Sequence, residues 1–417
     1  MTSKPPRAAP AVSGLKQRFT ACALGCLLAL SACGGGGGGS PSASNGVGVG
    51  GTGSAAGPVT GFGSIIVNDI RFDDSTALIF DDDDTSKNRS DIKLGMLVDV
   101  RSGVFTDDAT TGLRNATATQ IIYGSSLKGV VTAKGASSIT VLGQVVNVTS
   151  TTVFDGFASG LASVTTSSPN NLVEVHALFN PSTSQFTATR IERKSAPLSE
   201  CKLTGLVNAL STNAQTFFIN GFSVAYAGAT RVSGLAEGQR VKVRLAFNAG
   251  NCTNNATRID GAQTAFADNS SAEVEGFVSN FISSAGAITF KVNGVPVSAT
   301  TVATGVADGI RVEAEGVVRN GVLVASKVER KDLPSTDSVR LFGSPSGHAP
   351  STATTGTFIV QGQTVYYDTA TTRFDNFSDS NTFNNPSASL EVRGAPDNSG
   401  TVSPGTVIIA SEIKLKN

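Results

Sequence analysis

Beyond residue 57 the chain alternates apolar and polar positions with a period of two. Ile288, Phe290 and Val292 face one way and Thr289 and Lys291 the other; after a turn, Val295 and Val297 resume the apolar face. Such alternation predicts half-buried antiparallel strands. The turn signal recurs as Val67-Asn68-Asp69, Leu142-Gly143-Gln144, Ile219-Asn220-Gly221, Val292-Asn293-Gly294 and Val360-Gln361-Gly362. The centres fall roughly 70 to 80 residues apart, which marks an internal repeat. Asn-Gly and Asn-Asp supply the positive φ that a two-residue primed hairpin needs.

Other landmarks keep the same order in each copy. A Gly-containing strand precedes the hairpin, as in Leu203-Thr204-Gly205 and Val274-Glu275-Gly276. A Thr-rich stretch follows it, clearest at Thr151-Thr152-Val153-Phe154 and Thr371-Thr372-Arg373-Phe374. Then comes a strong alternating strand: LVDVR (97–101), LVEVH (172–176), RVKVR (240–244), IRVEAE (310–315) and LEVR (390–393). Each copy closes on Ala, then Thr or Ser, a polar residue and an aliphatic one, starting at Ala118, Ala188, Ala256, Ala325 and Ala410. About five short strands with one buried face can close on themselves and so remove their edges. The predicted fold is all-β: five tandem small antiparallel OB-like barrels, at 58–125, 126–196, 197–262, 270–333 and 338–415. A string of small sandwiches is the alternative. Gln263 to Ser270 is the expected hinge.

The first 57 residues differ in kind. Lys4, Arg7, Lys16 and Arg18 precede an apolar run from Thr20 to Ala32, too short for a stable membrane span. Residues 1–32 are thus expected to be a signal peptide, ending Leu30-Ser31-Ala32-Cys33. That ending resembles the bacterial lipobox, which implies cleavage before Cys33 and its lipidation. Cys22 and Cys26 would leave with the signal. Gly34 leans, by analogy with sorting signals, toward the outer membrane. Residues 33–57 read as a Gly/Ser-rich tether with a span of roughly 27 Å.

Composition narrows the function. Lys plus Arg and Asp plus Glu both number 32; loss of the four basic signal residues leaves 28 against 32, a net charge of −4. No basic stripe appears, so a nucleic-acid partner is not expected. Two His, and three Cys once Cys22 and Cys26 are gone, leave little for a His-based triad or a metal cage. No cofactor motif stands out, since GGGGGG has no Lys-Ser/Thr after it.

The pattern G-x-V … V-N-G … T-x-F … L-x-x-G-x-x-V-x-V … A-T-R-I-E, over roughly residues 57 to 415, resembles the bacterial family called domain of unknown function 5666. Repeats one to four show it best; repeat five departs most. The resemblance implies tandem copies in an envelope lipoprotein, and implies no activity, cofactor or catalytic residue.

Candidate chemistry is sparse. Cys201 and Cys252, both in repeat three, are expected to form a structural disulfide in an oxidising compartment; a redox pair would want Cys-x-x-Cys. Asp81 to Asp84 read as a solvated loop, with calcium binding as the alternative. His176 and His348 read as surface or strand-end residues. Glu and Asp at alternating positions read as the wet side of the barrels. Phe217, Phe277, Phe290 and Phe358 read as core. Tyr366, Tyr367, Phe374 and Phe377 are candidate exposed aromatics, of which Tyr366, Tyr367 and Phe374 are proposed to stack on a sugar. The expected function is that of a non-catalytic, lipid-anchored envelope protein, a scaffold or binding module for a protein partner, with polysaccharide binding as the alternative. A hydrolase would require an acid pair or a Ser-His pair buried in one cleft.

Overall fold

The computed structural model describes residues 52–416 apart from 169, 263, 285, 332–336, 378–379, 401 and 403–405. The signal segment, Leu30-Ser31-Ala32, Cys33 and the Gly-rich stretch to residue 51 lie outside the described residues. Among the described residues there are strands and three one-turn 3₁₀ helices, with no α-helix.

Each repeat builds one closed five-stranded sheet. In repeat one the strands are Gly53–Phe62, Ile65–Val67, Ile70–Asp73, Leu97–Ser102 and Leu113–Tyr123. The first pairs with the second, the second with the third and the third, in parallel, with the fifth; the fifth returns through the fourth to the first. Repeats two to five close by the same circuit, for example Ser271–Ser284, Ala287–Val292, Val295–Ala299, Arg311–Arg319 and Val322–Arg330 in repeat four. That order, with its one parallel pair, is the small Greek-key barrel of OB type. All five expected hairpins are primed turns: both central residues have positive φ, from Asn68 and Asp69 to Gln361 and Gly362.

The closing motif has a structural cause. In every repeat the fifth strand carries one extra residue against the fourth, a β-bulge at Thr119, Thr189, Thr257, Ser326 or Ser411. The hydroxyl of that residue donates to a fourth-strand carbonyl: Arg101, His176, Arg244, Glu315 and Arg393 respectively, at 3.0–3.3 Å. The Thr-rich landmark serves the same place. Thr152 and Thr372 donate to the carbonyls of Ala188 and Ala410, the Ala residues of the motif.

The barrel interiors are apolar, with Phe72, Phe186, Phe217 and Phe358 fully buried. The barrels do not hang as separate beads. Residues 49–417 form one compact unit. Gly53 to Ala56 lie between Leu97–Ser102 and, in parallel, the start of Ser271–Ser284. The far end of the same strand pairs with Arg340 and Leu341 of repeat five. Gly53 to Gly57 were expected in the tether; they are instead strand, because their small side chains let two strands flank them. The expected hinge is also tied down over its described part. Ser270 is fully buried, and the Asn269 and Gly321 amides donate to Val318 and Asp268 respectively.

Candidate functional site

The polar alternate positions, expected to be wet, largely face other barrels. In repeat four they form one charged face. Glu273, Glu275 and Phe277 share a side of the first strand, opposite Glu315, Glu313 and Arg311 on the fourth; Lys327 and Glu329 continue the face on the fifth. Like charges opposite one another are destabilising unless countered. Repeat one supplies the counter-charge through Arg114, which binds both Glu273 and Glu315. Lys331 bridges Glu313 at 3.0 Å and Asp69 of repeat one at 3.1 Å, and Arg311 holds Glu275 at 2.7 Å. Glu273, Glu275 and Glu313 are 1%, 4% and 7% exposed. Burial, and then the adjacent Glu313 carboxyl, pushes Glu273 far above the usual carboxylate range. Burial pushes Glu313 up as well, against the pull of Lys331. The two carboxyls meet, and Glu273, held that high, keeps its proton at neutral pH.

This face borders a cavity of about 970 Å³ walled by repeats one, two, four and five. Its size is at the upper end of ligand sites, about 300–1,000 Å³. Seven carboxyl and six basic side chains line it, with Phe277, Leu94 and Val153 among its apolar residues. Asn68, 2% exposed, and Ser338 also line it; the Asn68 Oδ1 and Ser338 Oγ atoms are buried with no hydrogen-bond partner among the described residues.

Repeat three carries the opposite charge on the equivalent face, with Lys202, Lys242 and Arg244. They close on the Asp81–Asp84 segment of repeat one. Asp82 accepts from Lys202 at 2.9 Å and Lys242 at 2.7 Å, and Asp83 binds Arg244. The segment expected as a solvated loop is therefore an inter-barrel clamp, because three buried cations need its charge. Among the described residues, no group of three or more His, Cys, Asp or Glu side chains is arranged to hold a metal ion.

A family model described as domain of unknown function (DUF5666) matches residues 128–192, 204–260, 275–329 and 351–414, more than half the chain. The chain belongs to this family. The DUF5666 matches begin at repeat two; repeat one, at 58–125, falls outside them although it builds the same barrel and bulge. Repeat five, the most divergent to the eye, is matched. A search of curated proteins finds no match. A solved structure titled "drosophila Unr CSD456" aligns over 41% of this chain and 79% of that chain, with 13% identity and a TM-score of 0.13.

Of the residues singled out in sequence, Phe277, read as core, lines the DUF5666 cavity; the cysteines, the two His and the repeat-five aromatics lie apart from it. Cys201 and Cys252 form a disulfide, with Cα atoms 5.9 Å apart. They sit within the first and closing strands of repeat three rather than before and between strands. Tyr367 is buried in the repeat-five core with Phe358 and Phe383, and Phe374 packs against it. Neither offers a sugar platform, because both fall on the inward side of the barrel wall. Tyr366 is half-buried on the outer side, in a row with Thr357 and Ile409. His348 is not a free loop residue: it lies on Ser346–Pro350 and bonds the Tyr367 hydroxyl at 2.9 Å. His176 is buried, and its Nδ1 accepts from the Leu97 amide of repeat one at 3.2 Å. The acidic pair Glu273 and Glu313 was not singled out. The readable signal was Glu-x-Glu in both strands of one repeat, 273–275 and 313–315.

Proposed function

We propose that this DUF5666 chain is a non-catalytic binding protein of the bacterial cell envelope, anchored by lipid at Cys33, which takes a segment of envelope polysaccharide into the cavity between its barrels. The cavity carries the reading. It has the size of a ligand site and is walled by four of the five repeats, and its polar lining suits a hydroxyl-rich ligand. The expectation of a protein partner rested on like surfaces repeated along a string, and those faces are spent on packing the barrels together. Calorimetric titration of the full chain in detergent with purified envelope glycans tests the proposal. Saturable binding lost in Arg311→Ala and kept in Tyr366→Ala supports it. Binding lost only in Tyr366→Ala moves the site to the outer wall of repeat five, and no binding returns the weight to a protein partner.

The buried Glu273–Glu313 pair favours a second reading, glycoside hydrolysis. One carboxyl would protonate the leaving oxygen while the other acts as nucleophile or base. Here the two carboxyls bind one another, and Arg114 and Lys331 occupy them further. Binding without release of shorter sugars, unchanged in Glu313→Gln, separates the first reading from the second.

A further inference from the structure

The charges around the cavity say which glycans suit it, an inference that rests on the binding reading above. Seven carboxyls face six cations. With Glu273 protonated, six charged carboxyls face six cations and the wall is balanced. The groups around Glu273 and Glu313 are themselves engaged: Glu275 with Arg311, Glu315 with Arg114, Asp69 with Lys331 and Glu329 with Lys327. A charged ligand would have to break one of these pairs and leave a buried charge uncompensated. One unsatisfied atom points the same way: Ser338 Oγ, buried without a partner among the described residues, can accept or donate. Phe277, the aromatic side chain of the lining, adds an apolar surface.

We propose that the cavity takes an uncharged, hydroxyl-rich ligand, the neutral stretch of an oligosaccharide, with a hydroxyl on Ser338 and a ring against Phe277. Repeat four thus contributes the apolar contact, and repeat five the polar one.

The test is titration of the full chain in detergent with a panel of neutral oligosaccharides, each beside its uronate and amino counterparts. At least one neutral sugar is expected to bind, its charged counterparts about tenfold weaker or worse. Ser338→Ala and Phe277→Leu should each weaken it about tenfold. Thermal melts confirm that each variant is folded. A charged counterpart that binds tightest, or affinity indifferent to both Ser338→Ala and Phe277→Leu, overturns the neutral-ligand proposal and leaves glycan binding standing. Silence from every sugar overturns both.

Discussion

Replacing Asp82 by Asn should cost the protein about 3 kcal/mol, the lower end of what breaking a buried ion pair costs. The aspartate side chain is 10% exposed, and its lysine partners Lys202 and Lys242 are 8% and 12% exposed. Asn keeps an oxygen but removes the charge that balances two ammonium groups. The loss stays near the lower bound because the Asp82 carbonyl still accepts from Lys242 at 3.1 Å and from Arg244 at 3.2 Å. Burial raises the Asp82 carboxyl, but Lys202 and Lys242 outweigh it and hold the group below its ordinary value. Its contribution is therefore present above the unfolded pKa, near 3.8, and lost as pH falls through the lower folded value. Urea unfolding of the full chain, followed by circular dichroism at neutral pH and at about pH 2, measures both points. The gap between native and variant should be full at neutral pH and shrink in acid. A gap below about 1 kcal/mol at neutral pH would mean a solvated loop after all. Calcium should leave the midpoint unchanged, since lysines and Arg244 already occupy the carboxylates.

Four further outcomes are expected. Reducing Cys201–Cys252, which closes a separation of 51 residues, should cost about 4 kcal/mol in the chain-entropy model; a melt insensitive to reductant refutes it. Thr189→Val should cost about 1 kcal/mol by removing the bulge hydrogen bond to the His176 carbonyl, and an equal loss from Thr132→Val, on an exposed hydroxyl, would show the bulge is not special. Burial lowers His176 to about 4 from an ordinary 6.5, so the native state binds fewer protons between those values and stability falls as pH drops through them, by about 3 kcal/mol; in His176→Asn the urea midpoint should lose that part of its acid dependence. Tyr367→Ala should cost about 3–5 kcal/mol as a buried aromatic truncation and Tyr366→Ala about 0.5 or less, and denaturant midpoints in the reverse order would put the wrong tyrosine inside.

The barrel was legible because its cause is local. Alternation, primed turns and the Ala-Thr/Ser motif each specify geometry within a few residues, and each names its place: Asn293-Gly294 the turn, Thr189 the bulge. The arrangement of barrels was not legible, because it depends on side chains that look like solvent-facing polar positions. Lys202, Glu273 and His176 sit on the outward side of their strands by period. Only the approach of another barrel turns that side inward, and no local rule states which barrel comes. Tyr367 was misplaced for a related reason: two adjacent tyrosines must split between faces, and the pattern leaves open which one points in until the register with Phe358 is known.

The five copies keep one apolar pattern and differ in the charge of the outer faces, and this difference follows from their neighbours. Repeat four presents Glu273, Glu275, Glu313 and Glu315 where repeat three presents Lys202, Thr204, Lys242 and Arg244. Repeat one answers both, with Arg114 toward the acids and Asp82 and Asp83 toward the bases. Buried pairs like these add little stability over apolar contacts of the same size, while a mismatched pairing leaves buried charge unpaired at several kcal/mol. Charge therefore acts chiefly by excluding wrong neighbours: repeats three and four cannot trade places against repeat one. The cavity inherits its polarity from the same rule, since it lies where the charged faces of repeats one and four meet through Arg114 and Lys331.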